Sequence, residues 1–167
     1  NYVQGLSNVS VSASAQDSIT YEAAEILYAK GEQERAVSAF GEYLQNFPAA
    51  LFKLSAHFYK AELLSVLGKQ EALQDYLAVL EFTHNQFTER SLSQVARLEL
   101  GKHEFAIAAL HYNQLLEQAQ DKELQREATI SLFTCYKALN NTEEMKNSAE
   151  RILALDKLSD DLEVEAR

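Results

Sequence analysis

Apolar residues recur at helical spacing through most of this chain. Leu54, Phe58, Ala61, Leu64 and Leu67 step by four, three, three and three, and Ala128, Leu132, Cys135 and Leu139 by four, three and four. Each series lays one buried stripe along a helix. No stretch after residue 17 shows the period-two alternation of a strand. The pattern predicts nine helices, at roughly 18–30, 32–46, 50–67, 69–83, 88–100, 102–118, 122–139, 142–156 and 160 onward. Residues 1–16 read differently. Val9, Val11, Ala13 and Ala15 alternate with Ser and Gln, which predicts an extended arm or linker ahead of a helical body over 17–167. The arm either packs on its own body or docks on another molecule. The chain opens at Asn1 without Met and ends at Arg167, inside a helix begun by Ser159, Asp160 and Asp161. It therefore reads as an excerpt of a longer protein.

The turns carry a repeat. GEQERAVSAFGEYL follows from Gly31, GKQEALQDYLAVL from Gly68 and GKHEFAIAALHYNQLL from Gly101, with a fourth copy without glycine, NTEEMKNSAERIL, from Asn141. A small residue comes four or five positions after each glycine (Ala36, Ala72, Ala106), and a larger apolar one four later (Phe40, Tyr76, Leu110). With Met145 in the fourth copy, the small positions are 36, 34 and 39 residues apart. Two helices per period of this size predict a helical solenoid, because a single pair cannot bury its apolar face alone. Close helix packing needs small side chains, so Ala24 is expected against Ala36, and Ala61 against Ala72. The glycines permit the left-handed backbone that ends a helix. Asn141 and Glu144 form a candidate capping box.

Composition narrows the function. The 167 residues include 25 acidic and 15 basic side chains, for a net charge of −10, and 47% are hydrophobic. A core can form, while nucleic acid is disfavoured as a partner because phosphate binding needs clustered Lys and Arg. No apolar run approaches the roughly 18 residues of a membrane span. The one cysteine, Cys135, lies on an apolar stripe and is expected to be a buried, inert thiol. The four histidines supply no metal-binding pair: His103 and His111 stand about 80° apart on a helix. There is no phosphate loop and no dinucleotide fingerprint. The carboxylates recur on solvated faces, as at Glu32, Glu34 and Glu42. No catalytic residue, metal or cofactor is expected.

Over residues 17–167 the sequence resembles the tetratricopeptide repeat (TPR) family, with four repeats and a partial fifth. Tyr21 to Pro48 (YEAAEILYAKGEQERAVSAFGEYLQNFP) is the best copy, with Gly31, Ala36, Phe40 and Pro48 at the family's marked positions. Leu54 to Leu80 is the next. In the later copies Gln94 stands where a small residue is expected, Asn113 and Gln114 interrupt the pattern, and Met145 replaces Ala. The resemblance implies an all-α, right-handed α–α superhelix built for protein–protein interaction. The YLQNFP ending of the first repeat, with HFYKAELLSVLGK after it, looks like bacterial cell-envelope TPR scaffolds. Among these are the barrel-assembly lipoprotein and a periplasmic cell-division coordinator. A periplasmic or outer-membrane-associated setting is implied by that likeness alone.

In the family, the first helix of each repeat lines the concave face. Carried over, the contact positions are Tyr21, Glu25 and Tyr28, then Phe58, Glu62 and Ser65, with Ser91, Val95, Glu99, Ile130, Thr134 and Lys137 in the later repeats. Aromatic rings among glutamates suit an apolar peptide bearing Lys or Arg. The family's carboxylate clamp needs Lys and Asn where Tyr21, Glu25, Phe58 and Glu62 stand, so a chaperone-tail ligand is not expected. The alternative is a structural spacer or self-association module, whose groove is filled by a neighbouring copy or by the arm.

Overall fold

A computed structural model of the chain describes residues 13–47 and 49–154. Among them are eight helices and no strand: α1 (Ala13–Ala29), α2 (Gln33–Asn46), α3 (Lys53–Val66), α4 (Ala72–Leu80), α5 (Thr88–Gly101), α6 (Phe105–Gln118), α7 (Lys122–Ala138) and α8 (Thr142–Leu153). The helix expected from residue 160, the start of the arm and Pro48 lie outside the described residues. Residues 13–16 open α1 instead of closing an extended arm. Ala13 and Ala15 satisfied an alternating pattern, yet Ala prefers helix and has little strand preference. The chain forms two compact units, which divide after Lys69.

In the first unit α1 packs on α2 and α2 on α3. Its core joins Tyr21, Ala24, Ala36, Phe40, Tyr43, Ala56 and Leu63. Ala24 and Ala36 are both fully buried there, as close packing of the pair requires. Tyr21 stacks on Phe52 with ring centroids 4.5 Å apart and lies 5.4 Å from Tyr43 and 5.9 Å from Phe40. A buried polar anchor fixes the α2–α3 turn. The Tyr43 hydroxyl donates to one Asp17 oxygen, the other accepts from Leu51 N–H at 3.2 Å, and Tyr43 accepts from Phe52 N–H at 3.1 Å. Every polar group brought inside by Asp17 is thereby engaged.

In the second unit α4 to α8 pack in succession, with a core of Leu92, Ala96, Ala108, Ala109, Tyr112, Leu115, Ala128, Leu132 and Cys135. Asp121 caps α7, accepting from the N–H groups of Glu123 and Leu124. Asn141 caps α8 by accepting from Glu144 N–H at 3.3 Å. The reciprocal arm of the expected capping box is not made, because Asn141 N–H already donates to Tyr136 C=O. Cys135 is fully buried, and burial pushes its thiol up to about 11. It stays protonated and inert at neutral pH.

The structure corrects the register of the third repeat. Its left-handed turn residue is His103, φ 62°, and Gly101 is helical. The turn residues are thus Gly31, Gly68, His103 and Asn140. The buried small residue is Ala108, while Ala106 and Leu110 face solvent. Ala36, Ala72 and Ala108 then recur every 36 residues, with Met145 fourth. Phe40, Tyr76, Tyr112 and Ala149 follow four positions later, and all are buried.

This register makes a direct prediction for stability. Gly31→Ala and Gly68→Ala should each cost about 1 kcal/mol, since a Cβ at either meets open space and only the backbone is strained. Gly101→Ala should instead stabilise by about 0.5 kcal/mol, because this glycine is helical and its Cβ would also be unobstructed. Urea unfolding of the three variants would check the signs.

Candidate binding surface

The first helices of the first unit, α1 and α3, meet along a ladder of aromatic rings. Tyr28 of α1 packs against Tyr59 of α3 at 5.1 Å, and Tyr59 continues to Phe40 at 6.1 Å and Phe58 at 5.7 Å. Tyr28 remains 40% exposed. Glu25 is one helical turn before Tyr28 and is exposed to solvent. The Tyr21 hydroxyl holds it: burial and the hydrogen bond to Glu25 push this phenol far above its ordinary value, and a second hydrogen bond from Ser55 opposes them. Tyr59 is likewise shifted upward, by burial and then by the Glu25 charge. The outcome is a fixed carboxylate beside a half-exposed pair of rings. Such a surface can take an apolar group on the rings and a cation at their edge.

The residues expected at the surface separate into two groups. Glu25 and Tyr28 are exposed, and Glu62 is half-buried. Tyr21 and Phe58 are buried, so both build the unit instead of meeting a partner. In the second unit Ser91, Val95 and Glu99 are buried too. Glu99 pairs with His111 Nδ1 at 2.7 Å across α5 and α6. Their burial follows from α5 turning this stripe toward its packed neighbours. Ile130 packs with Met145, Phe133, Ala149 and Ile152, while Thr134 is exposed. Lys137 is exposed, with its ammonium 5.8 Å from the Phe133 ring centroid.

Tyr59 is the surface residue that sequence reasoning missed. It occupies the register of Glu22 in the first repeat, and a glutamate there gives no sign of an aromatic role. Charge also varies by register. Glu25 and Glu62 are equivalent positions, and Arg97 takes their place in α5. Arg97 is clamped across to α7 by Glu127, with Nη2 2.6 Å from Oε2 and Nε on Oε1. Ser93 donates to the same carboxylate at 3.2 Å. Hydrogen bonding to Glu127 raises the guanidinium pKa further. The acidic, aromatic character therefore belongs to the first unit.

Other clusters carry structural duties. A cavity of about 650 Å³ is lined by His84, Asn85, Gln86, Glu89, Arg90, Gln120 and Leu124. Its Glu89 carboxylate accepts from Gln120 N–H at 3.0 Å and so ties down the α6–α7 turn. Among the described residues no group of three or more His, Cys, Asp or Glu could hold a metal ion. Nor is any described helix long and apolar enough to cross a membrane.

No family model matches the sequence, and no curated protein matches it. Solved structures do. A tetratricopeptide repeat protein from Parabacteroides merdae superposes with a TM-score of 0.67 at 21% identity, over 89% of this chain and 56% of that one. The present chain thus spans little more than half of that protein. The MamA RS-1 ArsTM double mutant gives 0.63 at 15% identity, over 84% of this chain and 75% of that one. The TPR-like repeats of a putative kinesin light chain from Podosopora anserina give 0.54 at 15% identity, over 92% and 77%. At such identities the likeness concerns architecture alone, and the architecture is an all-α helical repeat with the tetratricopeptide repeat fold.

Proposed function

We propose that this chain is an interaction scaffold that holds a segment of another protein on the α1–α3 face. The TPR fold supports the general reading, since such folds present helix faces to partners rather than reacting groups. One observation carries the specific one: the exposed Tyr28 ring is fixed by Tyr59 and bordered by the Glu25 carboxylate. The segment this suits is apolar with a Lys or Arg, the apolar part on the tyrosines and the cation at Glu25 and Glu62. The net charge of −10 favours encounter with basic partners. A bacterial envelope assembly is the proposed setting, on the strength of the YLQNFP ending and the helix after it.

Affinity capture from the source organism tests this. A Glu25→Gln/Tyr28→Ala variant should keep the helical circular dichroism of the parent, because both side chains are exposed, and should lose the partner by about tenfold or more. Equal capture by both forms would remove the function from this face.

A further inference from the structure

The outer face of α6 differs from that of the other second helices. α6 turns Ala108, Ala109, Tyr112 and Leu115 into the core between α5 and α7. Ile107 and Leu110, one before and two after the buried Ala108, stand outside that core at 49% and 56% exposure. Three residues apart, they are neighbours on one side of the helix. The same two positions hold Arg35 and Ser38 around Ala36, Glu71 and Gln74 around Ala72, and Glu144 and Asn147 around Met145. Second helices therefore form with polar residues at both positions, and packing among the described residues gives no reason for Ile and Leu in α6.

We infer that two copies of the chain pair through this face, α6 against α6, antiparallel about a two-fold axis. The face is self-complementary in that arrangement. Around a point midway between Ile107 and Leu110, Ile107 of one copy meets Leu110 of the other, and the contact is made twice. The charges at the ends of the helix select the direction. Lys102 lies in the turn before α6 and Glu117 in its last turn, and both are exposed. Antiparallel pairing brings the Lys102 end of one copy to the Glu117 end of the other, whereas parallel pairing sets like charges together. An apolar pair flanked by opposite charges is matched by a second α6, which supplies the same pair with the charges reversed. One helix face from each copy is smaller than a standard interface of about 800 Å² a side, so the dimer is weak and reversible. The same patch is used on both copies, so assembly stops at two.

Sedimentation velocity tests this, from about 10 μM to about 1 mM and at about 0.15 M salt, where repulsion between chains of charge −10 is screened beyond about 8 Å. The mass should rise with concentration to that of two chains and no further. Ile107→Glu/Leu110→Gln installs the residues that α4 carries at these positions. This variant should keep the parent's circular dichroism and associate at least about tenfold less tightly. Glu117→Lys should weaken the dimer by about threefold, and adding Lys102→Glu should restore it. Monomer at every concentration overturns the inference and leaves the face to a different protein. Association unchanged in Ile107→Glu/Leu110→Gln, growth beyond two chains, or a charge series without this order overturns it as well. None of these substitutions alters α1 or α3, so the outcome is independent of the partner proposed for that face.

Discussion

Tyr21→Ala should cost the first unit about 3–5 kcal/mol, whereas Tyr28→Ala should change stability by less than about 1 kcal/mol. Both tyrosines sit on α1, seven residues apart, and both fall at contact positions of the repeat pattern. Their environments differ. Tyr21 is 4% exposed, stacked on Phe52 and in contact with the rings of Phe40 and Tyr43. Truncation would empty the centre of that core and release the hydroxyl's bonds to Glu25 and Ser55. Tyr28 makes one ring contact, with Tyr59, from a half-exposed position. Urea unfolding followed by circular dichroism would measure both losses. Comparable values for the two variants would contradict the division of α1 into a packing residue and a binding residue.

Stability should fall steeply in alkali. In the folded chain Tyr43 is pushed from 10 to about 12, first by burial and then by its hydrogen bond to Asp17. Burial raises Cys135 from 9 to about 11. Tyr59 and Tyr112 are raised as well, again chiefly by burial. The folded chain holds these protons more tightly than the unfolded chain, which gives them up first. Their stabilising effect is therefore whole below about pH 9 and is lost as pH rises through the folded values, up to about 12. A shift of two units corresponds to about 3 kcal/mol for Tyr43 alone. Thermal melts from about pH 8 to about pH 11.5 should show a falling midpoint, and Tyr43→Phe should flatten the decline. A midpoint that stays level would mean that these hydroxyls and the thiol are not enclosed as described.

Helix spacing alone revealed most of the fold. The stripes from Leu54 and Ala128, the glycines at 31 and 68 and the recurrence of small residues placed the eight described helices and the packing of α1 on α2. The third turn misled because Gly101 resembles Gly31 and Gly68, while the backbone reversal falls two residues later, at His103, which reaches the left-handed region less readily than glycine. That two-residue offset hid the Ala108–Tyr112–Leu115 stripe behind Ala106 and Leu110. The surface was harder to read. Periodicity fixes which face of a helix a residue occupies, but not how far a neighbouring helix covers it. Tyr21, Phe58 and Glu99 fall at the contact positions that the repeat pattern marks, yet packing encloses them. Glu25 and Tyr28 stay open because they lie at the edge of the α1–α3 contact. Tyr59 joins them from a position that holds Glu in the first repeat, so no repeat consensus could have flagged it.

The central claim, that the α1–α3 face of the first unit holds a protein partner, is tested most directly by site-specific photo-crosslinking. A benzophenone side chain would be placed at Tyr28, on the proposed face, and in a separate protein at Ile107, which is 49% exposed on α6. In source extract the Tyr28 probe should join the chain to the partner seen in affinity capture, and the Ile107 probe should not. Crosslinking of that partner from Ile107, with none from Tyr28, would contradict the account.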